Sequence, residues 1–144
     1  MRRILLCSAV VLAGHTTAAS AQQHAPMQHA GIKLSDVTGT WDTKSMVGPK
    51  DSVVVEFVVT ATADRKGWTI KLANRDPIPV RVVAVGGDSV VTEAGPYESI
   101  LRPGQMVTTH QVGHYKGDTM SGTVEARYAS GDVIRLKVAA TRRK

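Results

Sequence analysis

From Asp36 to the C-terminus the chain alternates apolar and polar residues with a period of two, in runs rich in Val, Ile and Thr. Turn-forming clusters divide the runs: GPKD at 48–51, ADRKG at 63–67, NRDP at 74–77, GGD at 86–88, KGD at 116–118 and SGD at 130–132. The pattern predicts eight strands, over 37–47, 52–62, 68–74, 78–85, 89–94, 105–115, 119–128 and 133–142, and no helix. Alternation also assigns faces, because successive strand side chains point to opposite sides of a sheet. In the last strand Ile134, Leu136, Val138 and Ala140 share the inward side. In the one before it Met120, Gly122, Val124, Ala126 and Tyr128 do so. Strand two turns Val53, Val55, Phe57 and Val59 inward, and strand three Trp68, Ile70 and Leu72.

Six of the seven connections are short enough for hairpins, so strands adjacent in sequence are expected to be antiparallel neighbours. An open eight-stranded meander would expose two edges, and closure removes them. The expected fold is therefore an all-β, eight-stranded, antiparallel up-and-down barrel, with a β-sandwich as the alternative. Pro77 and Pro79 place the start of strand four at a rim or an unpaired edge. The one long connection is GPYESILRPG, 95–104.

Ahead of the strands lies a different kind of sequence. Arg2 and Arg3, an apolar run from Ile4 to Ala13 and the small residues Ala19-Ser20-Ala21 follow one another as in a cleavable export signal, residues 1–21. The apolar run stops at Gly14, short of the roughly 20 residues that cross a bilayer. Cys7 lies inside the run, where a lipoprotein cysteine would follow it. Residues 22–35 read as a flexible leader and 36–144 as a single domain, which places the mature protein in the periplasm or outside the cell. Cleavage removes the only cysteine, and no disulfide can then form. It also takes the 18 basic residues to 16 against 12 acidic ones, a formal charge of +4. Only Arg142-Arg143-Lys144 forms a basic run, read as a solvated end, and this distribution argues against nucleic-acid binding.

The segments VTGTW at 37–41, GDTMSGTV at 117–124 and VAATR at 138–142 resemble small lipocalin-like, calycin-type domains of secreted bacterial proteins. The resemblance spans about residues 37–142 and implies a closed barrel with Trp41 packed at its base, an internal pocket for a small apolar ligand, and no catalytic set. The family look continues with apolar inward residues in strand six, where this chain has Thr109 and Gln111.

Candidate chemistry is sparse. His110 and His114 share a strand face but lie about 13 Å apart, too far for one metal with bonds of about 2 Å. If Tyr115 pairs with Met120 across the KGD turn, both histidines face outward and Val107, Thr109, Gln111, Gly113 and Tyr115 face inward. Buried Thr109 and Gln111 then need hydrogen-bond partners. With Trp41, Trp68 and Tyr128 they sketch an apolar pocket carrying a few directed polar groups. Tyr97, Glu98, Ser99 and Arg102 gather in the long loop as contact candidates. Cleavage after Ala21 would leave Gln22-Gln23-His24 at a new N-terminus, a geometry that can wrap Cu(II) or Ni(II), with Met27 and His29 close behind. No phosphate loop, nucleophile elbow or HExxH helix is present, and no cofactor is implied. The expected function is binding of a small apolar or amphipathic ligand inside the barrel. The alternative is an interaction domain with a filled barrel, acting through its outer face or the 95–104 loop.

Overall fold

The computed structural model describes residues 31–144. Residues 1–21, read as an export signal, most of residues 22–35, read as a leader, and the Gln22-Gln23-His24 motif lie outside the described residues. Eight strands follow in order: β1 (Gly39–Val47), β2 (Ser52–Ala61), β3 (Thr69–Leu72), β4 (Ile78–Gly86), β5 (Ser89–Glu98), β6 (Met106–Lys116), β7 (Thr119–Tyr128) and β8 (Val133–Arg142). Each pairs antiparallel with its sequence neighbours, and β8 returns to β1 with Trp41 opposite Arg142 and Ser45 opposite Val138. The barrel is closed, so the sandwich alternative does not apply.

The two ends are built differently. At one end the connections β2–β3, β4–β5 and β6–β7 meet a 3-10 turn, Leu34–Val37, and the interior is packed solid. Trp41, Trp68 and Val37 are almost completely buried there. The Trp41 ring meets Tyr115 edge-on at 5.1 Å, and its Nε1 donates to the Val37 carbonyl at 2.9 Å. Trp68 Nε1 donates to the carbonyls of Thr62 and Asp64. Both indoles thus bury a large apolar surface while their N–H groups keep partners.

Arg142 fastens this end. Its guanidinium lies 4.7 Å from the centre of the Trp41 ring and donates to the carbonyls of Thr38 (2.8 Å), Asp36 (2.9 Å) and Gly117 (3.1 Å). Nε lies 3.1 Å from Asp118 Oδ1 but is not aligned for a hydrogen bond. The reading of Arg142-Arg143-Lys144 as a solvated end therefore holds only in part. Arg142 is a half-buried structural cation, and Arg143 forms a forked pair with Asp42.

Several expected boundaries move. The first strand begins at Gly39 because residues 34–37 form the 3-10 turn, in which Asp36 accepts a bond from the Lys33 amide at 2.8 Å. The ordered chain also starts before Asp36: the Ile32 amide donates to Gly87 O at 2.7 Å, and Ile32 and Leu34 pack on the core. Strand five runs on to Glu98, because Gly95-Pro96 makes a bulge where the sequence suggested a loop. Gly95 has φ +109°, and a Cβ there would lie 2.6 Å from Val107 O, so glycine is what lets the strand continue. The long loop shrinks to 99–105. Val53, read as inward, is largely exposed, because a register shift between Ser45 and Met46 pairs it with Met46, whose neighbour Ser45 takes the inward side.

The geometry of Arg142 leads to a test by urea unfolding. Arg142→Ala leaves three carbonyls without their donor and should cost about 2–4 kcal/mol. Arg142→Lys should lose about 1–2 kcal/mol, because an ammonium cannot serve three carbonyls as a fork does. An alanine variant within about 0.5 kcal/mol of the parent would show that the contact contributes little to stability.

Candidate functional site, a cavity in the open half of the barrel

The boundary between filled and open halves lies at one row of the sheet. Gly113 faces Gly122, Gly122 faces Val138, and Val138 faces Ser45. The β6 and β7 backbones approach so closely here that a Cβ on Gly122 would lie 1.9 Å from Val112 O. Over Gly113 fold Met120 and the Tyr115 ring, which would meet a Cβ there at 3.1 and 3.3 Å. These two side chains plug the barrel.

Beyond the plug lies a cavity of about 60 Å³. Its walls are Val55, Phe57, Ile70, Leu72, Val107, Val124, Ala126 and Leu136, and Tyr97, Ser99, Ile100, Leu101 and Tyr128 surround its mouth. The polar groups on the walls are uncharged: Ser45, Thr109 and Gln111. Thr109 lies against the Tyr97 hydroxyl. Ser45 is 3% exposed and Gln111 is half-buried, and both side chains face the cavity. The space exceeds the roughly 10–15 Å³ that one water requires and is far below the roughly 300 Å³ of a drug-sized pocket.

The six pocket candidates read from the sequence divide between the two halves. Thr109, Gln111 and Tyr128 line the cavity, whereas Trp41, Trp68 and Tyr115 belong to the packed end. The error has a simple source: alternation tells which face a residue takes but not its depth along the barrel. Phe57, Leu72 and Leu136 were legible as inward residues, yet nothing local marked them, or Ser45, as cavity wall.

The loop candidates hold the mouth. Tyr97 lines the cavity and also borders an outer crevice formed with Lys71, Arg75, Asp76 and Ile78. Ser99, 3% exposed, hydrogen-bonds the Tyr128 hydroxyl at 3.0 Å, and the Arg102 amide donates to its Oγ at 3.1 Å. Arg102 stacks on Tyr128 at 4.5 Å and pairs with Asp132 at 2.7 Å, holding that carboxyl below its usual pKa range. Glu98 points away from the cavity, accepting from the Gly104 amide, while its carbonyl accepts from Arg75. On the outer face His110 Nδ1 lies 3.1 Å from Glu93 and His114 Nδ1 lies 3.0 Å from Asp88. Each contact lowers the carboxyl pKa. Among the described residues no three His, Cys, Asp or Glu side chains are grouped to hold a metal ion, and no helix is long and apolar enough to cross a membrane.

Comparison of the chain with protein-family models, with curated proteins and with solved structures gives no match.

Burial raises the Tyr115 pKa from its ordinary 10.0 to about 12, with nearby Arg142 opposing the rise. Below pH 10 the phenol is neutral in the folded and unfolded chains alike. Between pH 10 and about 12 only the unfolded chain releases the proton, so stability falls as pH rises through that window. The loss should be about 2–3 kcal/mol, measured as urea midpoints against pH, and largely absent in Tyr115→Phe. An equal alkaline loss in that variant would mean that Tyr115 is not the group responsible.

Proposed function

We propose that the protein is an exported, lipocalin-like binding module that holds one small apolar or amphipathic molecule in the open half of its barrel. The carrying observation is the unfilled space beyond the Tyr115–Met120 plug, apolar on its walls with a few uncharged polar groups. Sites for small molecules combine those two features. The resemblance lends support, because two of its three segments meet in space: Trp41 of VTGTW lies beneath Arg142 of VAATR. The third, GDTMSGTV, supplies Met120 and Gly122 at the plug. Export rests on the pattern of residues 1–21. A filled interaction domain is less favoured, because the barrel interior is not filled. Its best support is a set of exposed apolar side chains near the mouth, including Ile100, Met106 and Val133.

Native mass spectrometry of protein purified from the periplasm should detect one bound small molecule. Val124→Phe, which places extra volume against the cavity, should lower affinity at least about tenfold while circular dichroism stays unchanged. A wild-type protein free of adduct, and indifferent in NMR titrations to millimolar small amphiphiles, would overturn the reading.

A further inference from the structure

The arrangement of polar groups along the cavity carries more than its existence. At the deep end stand Ser45, in the row of Gly122 and Val138, and Gln111, in the next row beside Val124 and Leu136. The other walls include Phe57 and Leu72, with Ile100 and Leu101 at the mouth. The polar groups at the mouth are already paired, Ser99 with Tyr128, Arg102 with Asp132 and the Tyr97 hydroxyl with Thr109, whereas Ser45 and Gln111 at the floor open onto the cavity.

Two physical constraints narrow the occupant. Ser45 and Gln111 turn a hydroxyl and an amide toward the cavity, and a polar group covered without being bonded costs about 1–3 kcal/mol. Water or a ligand atom must meet them, and a ligand group that reproduces the bonds of a confined water displaces it without loss. In addition, no charged side chain lines the cavity, and the guanidinium of Arg102 is held at the mouth by Asp132 and Tyr128. An ionised group carried to the floor would be desolvated with no counter-ion.

We infer that the cavity takes a short, uncharged amphiphile polar end first, with Gln111 and Ser45 binding a hydroxyl or carboxamide and the alkyl part lying against Leu136, Phe57 and Leu101. This rests on the binding function proposed above and specifies its ligand class. Both floor residues offer a donor and an acceptor, which suits groups that also do both. The small volume admits only a few heavy atoms, so a longer tail would emerge between Ile100 and Leu101.

The test is an NMR titration of the full mature chain with 1-butanol, butyramide, butyrate and 1-chlorobutane, similar in length and different in the head. The expected result is that butanol and butyramide shift the Gln111 side-chain amide and bind at least about tenfold tighter than chlorobutane or butyrate. Gln111→Leu should abolish that preference while leaving chlorobutane binding intact or stronger. Ser45→Ala, a smaller change, should reduce the preference in the same direction and guards against misfolding of the first variant. Equal binding of butanol and chlorobutane, preference for butyrate, or shifts confined to Tyr97 and Ser99 would overturn the polar-end-first assignment and leave a binding barrel standing. If none of the four probes binds, the barrel-ligand function fails along with it.

Discussion

The barrel depends on a cation that the chain places at its last strand residue. Arg142 ends β8, and its guanidinium serves carbonyls of Asp36 and Thr38 before β1 and of Gly117 between β6 and β7. Three segments far apart in sequence are thereby brought to one point, and Trp41 lies beneath it. A cation that is half-buried is tolerated only if its donors are matched, and the three carbonyls and the ring face do most of that matching. Removing the cation would strand the carbonyls, and removing the 3-10 turn would strand the cation. Closure of β8 on β1 and the sealing of the packed end are thus one event.

With that end sealed, the interior splits at the Gly113–Gly122 pair. Two facing glycines bring β6 and β7 together and clear space for Tyr115 and Met120 to fold inward as a plug. The residues that complete the packed core stop short of the cavity, which Ser45 and Gln111 line at that side. The two indoles and Tyr115 fill the sealed half, whereas the aromatic residues of the open half, Phe57, Tyr97 and Tyr128, stand in a wall of Val, Leu, Ile and Ala and leave a space between them. The cavity follows from the distribution of side-chain volume along the barrel axis.

Much of this was legible in the sequence, for identifiable reasons. Period-two alternation is a local signal, and it located all eight strands, the meander and the inward set on β6 that contains Thr109 and Gln111. Features set by long-range geometry were not legible. The bulge at Gly95-Pro96 looks like a loop start to any local rule, though its glycine is required by Val107 O on another strand. Arg142 looks like part of a basic tail until Trp41, 101 positions earlier, is placed opposite it. Trp41, Trp68 and Tyr115 look like pocket residues because depth along a barrel depends on how all the strands are staggered, which no single strand encodes.

The ends also differ in how firmly they are held, and that difference bears on access to the cavity. The packed end is secured by buried indoles, the plug and a half-buried, matched cation. The cavity end rests on thinner supports. β3 and β4 share only two registered pairs, Thr69 with Pro79 and Ile70 with Ile78, and one of those residues has no amide hydrogen. Residues 99–105 are held over the mouth by the exposed Arg102–Asp132 pair and by bonds through Ser99 and Glu98. Exposed ion pairs contribute roughly 0–1 kcal/mol each. Local opening draws on the least stable parts of a fold, so this half can loosen while Arg142 and the plug stay in place. Tyr97 stands where the loosening would begin, one face in the cavity and the other in the outer crevice. The fold thus places its firm supports at one end and its looser ones around the cavity at the other.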